Sequence, residues 1–207
     1  MKIIFATGNE GKMREIRAIL GDVEAEIYSM KEAGIVLEIE ENGTTFEENA
    51  CIKARAVSEA LAAQGKARDC VVMADDSGLE IDCLNGEPGV YSARYLGEET
   101  PFDEKSADLL KRLKDVPQEE RGARFVCAIA AVFPGGEEAV ARGTIEGRIG
   151  HELRGDNGFG YDPIFYLPEY GRTAAELTDD EKNRISHRSR ALERMKEKLL
   201  QFSNENM

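Results

Sequence analysis

Two adjacent aspartates, Asp75 and Asp76, begin a short Asp-Asp-Ser-Gly segment that follows the apolar run 71–74. A short apolar run is typical of a buried strand, so the carboxylates are predicted at its carboxyl end, where open α/β sheets bind ligands. Neighbouring negative charges repel each other and favour a nearby cation. Carboxylate oxygens suit Mg²⁺, which binds one or two of them together with substrate phosphates. The alternative is a solvated turn, for which these residue types are ordinary.

Further charged side chains could join such a metal site. Glu38, Glu40 and Glu41 precede an Asn-Gly turn, and one of them could reach a metal, although a run of carboxylates is also typical of a solvated loop. Lys53 falls at the edge of the apolar face of a predicted helix. A lysine in that position either extends its ammonium group to water or serves a site.

The segment from Thr7 to Lys12 is a candidate phosphate-binding turn between a strand and a helix. Such a turn offers backbone N–H groups and the positive end of the helix dipole, and Lys12 adds a cation. It is not a Walker A loop, because Ala6 replaces the first glycine and Met13 the Ser/Thr, and it is not a GxGxxG fingerprint. An ordinary strand-to-helix turn is the alternative.

Two later segments could contact a planar base. The glycines of 158–163 flank Phe159, so the backbone can approach a flat ligand that stacks on an aromatic ring. His187 and Arg188 can donate hydrogen bonds to a keto oxygen or a phosphate. The alternatives are an inward-packed aromatic in a glycine-rich loop and a helix capped by Ser186.

The elements that must position these residues alternate between strands and helices. Thr45 with Glu48 forms a capping box, and Asn9 is placed to cap the helix before Gly21. Further periodicities predict strands at 2–7, 71–74 and 79–83, helices at about 103–114 and 186–201, and a hairpin of 123–133 with 137–149. Because the hairpin is antiparallel, the pattern favours a mixed α/β sheet.

Composition narrows the class of protein. A length of 207 residues fits one domain, with or without two lobes. The net charge of −13 disfavours nucleic-acid binding, and no apolar run is long enough to span a bilayer. Four cysteines without a CxxC pair indicate free thiols, and two histidines disfavour a zinc site. The first residues lack a signal-peptide pattern, so we expect a cytoplasmic protein.

Six segments, in this order, resemble the inosine triphosphate pyrophosphatases, also called the Ham1-like family. Their presence across nearly the whole chain makes the resemblance specific. The segments are Thr7-Gly8-Asn9 with Lys12; Phe46 to Ala50 with Lys53; Asp75 to Leu79; Pro88-Gly89-Val90-Tyr91-Ser92-Ala93-Arg94-Tyr95; Gly158 to Phe165; and Ser186-His187-Arg188.

The resemblance implies a single domain (1–207) with a long, bent mixed sheet and two lobes flanking an active-site cleft. It also implies a homodimer that hydrolyses ITP, dITP and XTP to the monophosphate and pyrophosphate. By position, Glu41 and Asp76 would bind Mg²⁺, or Mn²⁺ in its place, with Asp76 also accepting a proton. The implied substrate contacts are Thr7, Gly8, Asn9, Glu10, Gly11, Lys12, Ser77, Phe159, Gly160, Tyr161, Asp162, Lys182, His187 and Arg188.

These assignments predict a mechanism. Water attacks the α-phosphorus while Asp76 takes its proton, and Asp75 serves as a second metal ligand or an orienting partner. Lys12, Lys53 and Lys182 offset phosphate charge. Donors from His187 or Arg188 favour a 6-keto base over adenine.

Three alternatives remain at this point. A related house-cleaning pyrophosphatase would act on modified pyrimidine or methylated nucleotides. A nucleotide-binding sensor would not hydrolyse its ligand and would have no need of three site carboxylates. A non-specific phosphatase would release phosphate instead of pyrophosphate.

Overall fold

The computed structural model describes residues 1–66 and 70–205. In these ranges the chain forms helices α1 to α5, which are Glu10–Ile19, Phe46–Ala63, Phe102–Arg112, Asp179–Ile185 and His187–Glu205. Strands β1 to β7 are Lys2–Phe5, Glu26–Ser29, Cys70–Ile81, Gly122–Val132, Glu138–Ile149, Phe165–Leu167 and Arg172–Thr173. None of the helices in the described part of the chain is long and apolar enough to cross a membrane.

The strands form one sheet in the order β2-β1-β3-β4-β5-β6-β7. Strand β1 is parallel to both β2 and β3, whereas β6 is antiparallel to β5 and β7. The predicted mixed α/β sheet is therefore confirmed. The predicted hairpin is also confirmed: Phe133 donates to the carbonyl of Glu137 across the turn between β4 and β5.

The chain divides into two compact units. Unit 1 comprises Met1–Asp76, Cys127–Gly143 and Arg188–Met207, and unit 2 comprises Ser77–Val126 and Thr144–His187. The assignment of 1–207 to a single domain with two lobes stays a prediction.

Each unit has its own apolar core. In unit 1, the buried faces of α1 and α5 share one cluster with β1 and β3, and Ile16 and Met195 are examples with no exposed surface. In unit 2, Leu79 and Ile81 of β3 share a cluster with Leu109 of α3 and with Phe165. Burial of apolar surface is the main term that stabilises each unit, and it fixes the strands on which the polar residues lie.

Strand β3 differs from the prediction. The sequence pattern indicated a strand at 71–74 that ended before Asp75, and a second strand at 79–83. The structure has one continuous strand, Cys70–Ile81, so Asp75 and Asp76 lie inside it and are buried. The polar residues look like a strand end because the lysine and arginine that neutralise Asp75 are far away in the sequence. The alternative interpretation, a solvated turn, is wrong because both aspartates are buried within a strand.

The predicted caps and helix positions agree more closely. Asn9 caps α1 by accepting from the backbone N–H of Lys12, and Thr45 and Glu48 form the capping box of α2. The helix predicted at about 103–114 is α3. The helix predicted at 186–201 is α5, which is preceded by a separate short helix, α4, that the pattern did not indicate.

Candidate functional site

Asp75 is the centre of a buried charge network in unit 1. Its Oδ1 lies 2.5 Å from the Nζ of Lys12, and its Oδ2 accepts from the Nη2 and Nε of Arg188 at 3.0 and 3.1 Å. Arg188 also donates to Glu15 through Nη1. The cysteine thiol of Cys127 donates to the same Oδ2 at 3.5 Å. Two cations thus balance two buried carboxylates.

The electrostatics agree with this geometry. Burial by itself would raise the pKa of Asp75, but the charges of Lys12 and Arg188 outweigh it and hold that pKa far below its usual range. Asp75 is therefore ionised at any physiological pH. Both oxygens of Asp75 contact cations of the protein, and its role as a second metal ligand or an orienting partner stays a prediction.

Asp76 has different partners. Successive side chains of a strand point to opposite faces, so Asp76 projects away from the face that Asp75 occupies. Its Oδ2 accepts from the Nδ2 of Asn49 at 3.1 Å, and its Oδ1 lies 3.5 Å from the Nζ of Lys53. Lys53 also contacts the Oε2 of Glu41 at 2.8 Å. Helix α2 supplies both Asn49 and Lys53, one turn apart on its buried face.

In this second cluster, two carboxylates contact the ammonium group of Lys53. Burial is the largest cause that raises the pKa of Asp76; Lys53 and Lys12 counteract it, and Glu41 adds to the rise. Burial alone would lower the pKa of Lys53, but Asp76 and Glu41 raise it, so the ammonium stays charged. One ammonium group shared by two carboxylates is a cluster that a further cation would stabilise.

The donor set fits a hard divalent cation. In the ranges that the structure describes, no group of three His, Cys, Asp or Glu side chains is arranged to hold a metal alone. Two carboxylates, Glu41 and Asp76, are the number that Mg²⁺ takes when substrate phosphates and water complete its shell. The fit therefore requires a substrate that brings its own oxygen ligands.

The turn before α1 is closed by side-chain hydrogen bonds to its own backbone. Thr7 Oγ1 accepts from the backbone N–H of Asn9 at 3.1 Å, and Asn9 Oδ1 accepts from that of Lys12 at 3.0 Å. Gly8 is exposed, and a Cβ placed on it would meet no atom within 4 Å. A side chain at this position would therefore clash with no protein atom and would extend into the open space beside the turn. Glu10 is exposed and Gly11 is half-buried.

A separate cluster forms in unit 2. Asp162 accepts from the Nζ of Lys182 at 2.6 Å and from the backbone N–H of Phe159 at 2.9 Å, both through Oδ2. The Nζ of Lys182 also lies 4.7 Å from the ring centroid of Phe159. Gly158 has φ +79°, and a Cβ on it would lie 2.1 Å from the carboxylate of Asp162. Glycine is required there, and the half-buried Phe159 is held as a ring beside a lysine.

His187 belongs to the same unit. Its ring stacks on Phe125 with centroids 5.0 Å apart and planes at 24°. Together with Asp162, Lys182 and Ser186 it lines a small cavity whose other walls are apolar. Three residues that were predicted to contact the substrate therefore line one cavity: Asp162, Lys182 and His187. Two others, Gly160 and Ser77, are half-buried in unit 2.

Two predicted substrate contacts, Arg188 and Tyr161, have protein partners in this structure. Arg188 has no exposed surface, and three of its nitrogens donate to Asp75 and Glu15, so its guanidinium is committed to the charge network. Tyr161 is also buried, and its hydroxyl donates to the carbonyl of Ser92 at 2.8 Å. The resemblance implied a substrate contact for both residues, and the type of Arg188 also suited a base or a phosphate; both contacts stay predictions. In this structure both hold other parts of the protein in place.

The sequence pattern did not indicate Glu15, in the Asp75 network, or the role of Asn49, beside Asp76. Glu15 follows Lys12 by three positions and therefore lies on the same face of α1. A carboxylate on the buried face of an amphipathic helix was an available signal. Asn49 was included only within the segment Phe46 to Ala50, and its bond to Asp76 depends on the packing of α2 against β3.

Comparisons with known proteins place the chain. The model of the Ham1 family matches residues 3–198. The chain is 51% identical over 198 residues to a dITP/XTP pyrophosphatase of Clostridium perfringens, covering 96% of this chain and 97% of that protein. It is 49% identical to a dITP/XTP pyrophosphatase of Exiguobacterium sibiricum over 99% of this chain and all of that protein.

Solved structures agree. The Staphylococcus aureus Ham1 protein superimposes with a TM-score of 0.83 at 40% identity, covering 96% of this chain and 98% of that chain. A Ham1 protein from Coxiella burnetii gives a TM-score of 0.83 at 41% identity over 97% and 99% of the two chains. With its mixed sheet, its match over almost the full length and these relatives, the chain belongs to the Ham1 family.

Proposed function

We propose that this protein hydrolyses the non-canonical purine nucleotides dITP, XTP and ITP to the monophosphate and pyrophosphate, and so removes damaged purines from the nucleotide pool. The names of its full-length relatives support this activity. The observation that carries it is the cluster of Asp76, Glu41 and Lys53, where a buried carboxylate with a raised pKa lies beside a second carboxylate and a charged lysine.

The reaction requires water to attack the α-phosphorus and pyrophosphate to leave. Asp76 is the base that accepts the water's proton, since its raised pKa makes it a better acceptor than an ordinary aspartate. Asn49 and Lys53 orient its two oxygens. Glu41 and Asp76 would hold Mg²⁺, or Mn²⁺, which makes bound water more acidic and neutralises phosphate charge. Lys53 adds positive charge that this acidic protein must supply locally.

The turn from Thr7 to Lys12 is suited to the phosphates. The positive end of the α1 dipole attracts anions, and the open space at Gly8 admits a phosphate close to the backbone. Lys12 is ion-paired with Asp75, so its net contribution of charge is smaller than its sequence position suggests.

The cluster in unit 2 is suited to the base. Phe159 offers a ring for stacking, and His187 and Lys182 are donors that favour a 6-keto oxygen. Adenine has an amino group at that position, and placing one donor against another leaves both unpaired. Rejection by unpaired buried polar groups reaches about 10⁴-fold.

A panel of nucleotides tests the proposal. The protein is incubated with Mg²⁺ and dITP, XTP, ITP, ATP or GTP, and the products are separated by anion exchange. We expect pyrophosphate and the monophosphate from the first three and little turnover of ATP or GTP. Release of phosphate instead of pyrophosphate would indicate a non-specific phosphatase. Binding without turnover would indicate a sensor, and preference for a modified pyrimidine or methylated nucleotide would indicate a related house-cleaning enzyme.

The substitution Gly8→Ala tests the phosphate turn. We expect a melting temperature within about 2 °C of the wild type, because the added methyl group meets no protein atom. We expect the KM for dITP to rise about tenfold, because the methyl group occupies the room of a phosphate. The matched control is Gly135→Ala in the β4–β5 turn, where φ is +98°. That variant should lose stability and keep its KM, since left-handed backbone is strained for alanine. An unchanged KM for Gly8→Ala would remove this turn from the phosphate site.

We also propose that the protein is a homodimer in the cytoplasm, with a nucleotide as its partner and neither nucleic acid nor membrane. The resemblance to the family supports the dimer, and the net charge of −13 argues against nucleic acid. Sedimentation equilibrium of the purified chain would measure the mass of the assembly, and a mass near 23 kDa, that of one chain, would contradict the dimer.

A further inference from the structure

The segment Pro88–Tyr95 matches the family pattern but has no role in the mechanism above. It lies in unit 2, where Pro88 forms an antiparallel bridge with Glu80 of β3 and a short 3-10 helix spans Gly89–Tyr91. The segment therefore runs beside the part of β3 that follows the paired aspartates. Tyr91 of this segment is exposed, whereas Ser92 is buried and makes polar bonds in three directions.

Ser92 joins three pieces of chain. Its Oγ accepts from the backbone N–H of Leu79 at 2.9 Å and donates to the carbonyl of Gly89 at 2.6 Å. Its own carbonyl accepts from the hydroxyl of Tyr161 at 2.8 Å. Only 5% of Ser92 is exposed, so water cannot replace these bonds. Ser92 therefore connects three segments by hydrogen bonds: strand β3, the turn that begins at Gly89, and the loop that contains Tyr161.

The neighbouring residue is fixed as well. The carbonyl of Ala93 accepts from the Nζ of Lys105 at 2.5 Å, and Lys105 is 1% exposed. Its helix, α3, also carries Phe102, whose ring meets the ring of Tyr161 edge-on at a centroid distance of 5.2 Å. Helix α3 therefore supports the same two partners, the Ser92 turn and Tyr161, from a second direction.

Ser92 connects two segments that contain predicted substrate contacts. Leu79 is two residues after Ser77, and Tyr161 lies between Phe159 and Asp162. A shift of Tyr161 relative to Leu79 would move the Phe159 ring relative to Ser77. A displacement of about 1 Å in such a constellation weakens binding and turnover even when every contacting side chain is retained.

We propose that Ser92 is a positioning residue that keeps the Ser77–Leu79 end of β3 and the Phe159–Asp162 loop in one register. Ser92 does not touch the substrate. It acts through the Leu79 backbone and the Tyr161 hydroxyl, and it thereby sets how well unit 2 holds the base. This inference rests on the proposed function, because its effect is measured as substrate affinity.

The test is the steady-state kinetics of Ser92→Ala with dITP, together with its melting temperature. We expect the KM to rise about tenfold while kcat stays within about threefold, because the catalytic cluster of Asp76 and Lys53 is unchanged. The conservative variant Ser92→Thr keeps the hydroxyl and is expected to return the KM to within about threefold of the wild type. Tyr161→Phe removes the other bond alone and should raise the KM about threefold.

A second comparison separates positioning from general loss of stability. Ile149→Ala, on β5 and away from α3, creates a cavity in the core of unit 2 and should lower the melting temperature at least as much as Ser92→Ala while leaving the KM for dITP unchanged. The double variant Ser92→Ala/Tyr161→Phe should raise the KM by less than the product of the two single effects, because both bonds belong to one connection.

The outcomes are distinguishable. If the wild type hydrolyses dITP and Ser92→Ala loses stability with an unchanged KM, the positioning role is overturned and the proposed function stands. If Ser92→Ala does not fold, Tyr161→Phe decides in its place, and an unchanged KM for that variant overturns the role. If the wild type does not hydrolyse dITP, XTP or ITP, the proposed function fails and this inference fails with it.

Discussion

Replacement of Asp76 by asparagine is expected to lower kcat for dITP by about 10³-fold, the range that a positioned general base contributes. Asparagine has the same shape and can keep the contact with Asn49, but it can neither accept the water's proton nor give a cation the charge of a carboxylate. Binding of dITP to the inactive variant, measured by calorimetry in Mg²⁺, should remain detectable, because the phosphate turn and the Phe159 cluster are unchanged.

The same variant should be more stable than the wild type when no metal is bound. The pKa of Asp76 is raised in the folded protein, chiefly by burial. The folded state therefore binds the proton more tightly than the unfolded state, and this stabilising contribution is lost as the pH rises through the folded pKa. At pH 7 the ionised carboxylate costs stability that asparagine does not. We expect a higher melting temperature for Asp76→Asn in EDTA at pH 7, and a smaller difference near pH 4.

A matched control keeps the two effects interpretable. Asp82 follows β3 directly, and its carboxylate is half-exposed and paired with Arg124 at 3.0 Å. Asp82→Asn removes the same charge and should change kcat by less than about twofold. Near-normal turnover by Asp76→Asn would remove Asp76 from the chemistry. Loss of turnover accompanied by a lower melting temperature in EDTA would contradict the electrostatic account of the site.

The two aspartates show which features the sequence could predict. Their position next to a buried apolar strand and the cation that paired carboxylates need were predictable from the local pattern. The different surroundings of the two carboxylates were not predictable. They depend on the continuation of β3 through both residues, which places successive side chains on opposite faces of the sheet. The continuation is stabilised by Lys12 and Arg188, and Arg188 is 113 positions from Asp75.

Contacts within one turn of helix were predictable, and contacts across the fold were not. The Asn9 cap and the Thr45–Glu48 capping box depend on residues three positions apart, so their spacing alone predicted them. The hydroxyl of Tyr161 meets Ser92 across 69 positions, and no local rule relates the two. Residue type suggested a substrate contact for Tyr161 and Arg188 because both side chains suit ligands as well as they suit a protein interior.

Removal of Arg188 is expected to produce the largest loss of stability among these variants. Its guanidinium is fully buried and bridges Asp75 and Glu15. Deleting one partner of a buried ion pair leaves an uncompensated charge and costs about 3–5 kcal/mol. Since domains are stable by only about 5–15 kcal/mol, Arg188→Ala should lose a large part of the free energy of unfolding. Urea denaturation at pH 7, followed by circular dichroism, measures the difference.

Two further variants test whether the loss of stability comes from the buried ion pairs of Arg188. Arg188→Lys keeps the charge but lacks the planar fork that bonds Asp75 through two nitrogens, so its loss should be intermediate. Arg172→Ala breaks an ion pair with Glu181 in which both side chains are about two-fifths exposed, and it should cost less than about 1 kcal/mol. An Arg188→Ala variant within about 1 kcal/mol of the wild type would show that the buried network does not hold unit 1 together.

The loss of stability in Arg188→Ala should also depend on pH. The pKa of Asp75 is far below its ordinary value, so its ionised form stabilises the folded protein above the unfolded pKa, and that contribution is lost only as the pH falls through the folded pKa. Without Arg188 the folded pKa of Asp75 rises, although Lys12 still contacts it. The variant then takes up a proton at mildly acidic pH while the wild type stays ionised. The difference in unfolding free energy should therefore be greatest near pH 7 and narrow towards pH 4; a difference independent of pH would mean that Arg188 stabilises unit 1 by packing and not by its charge.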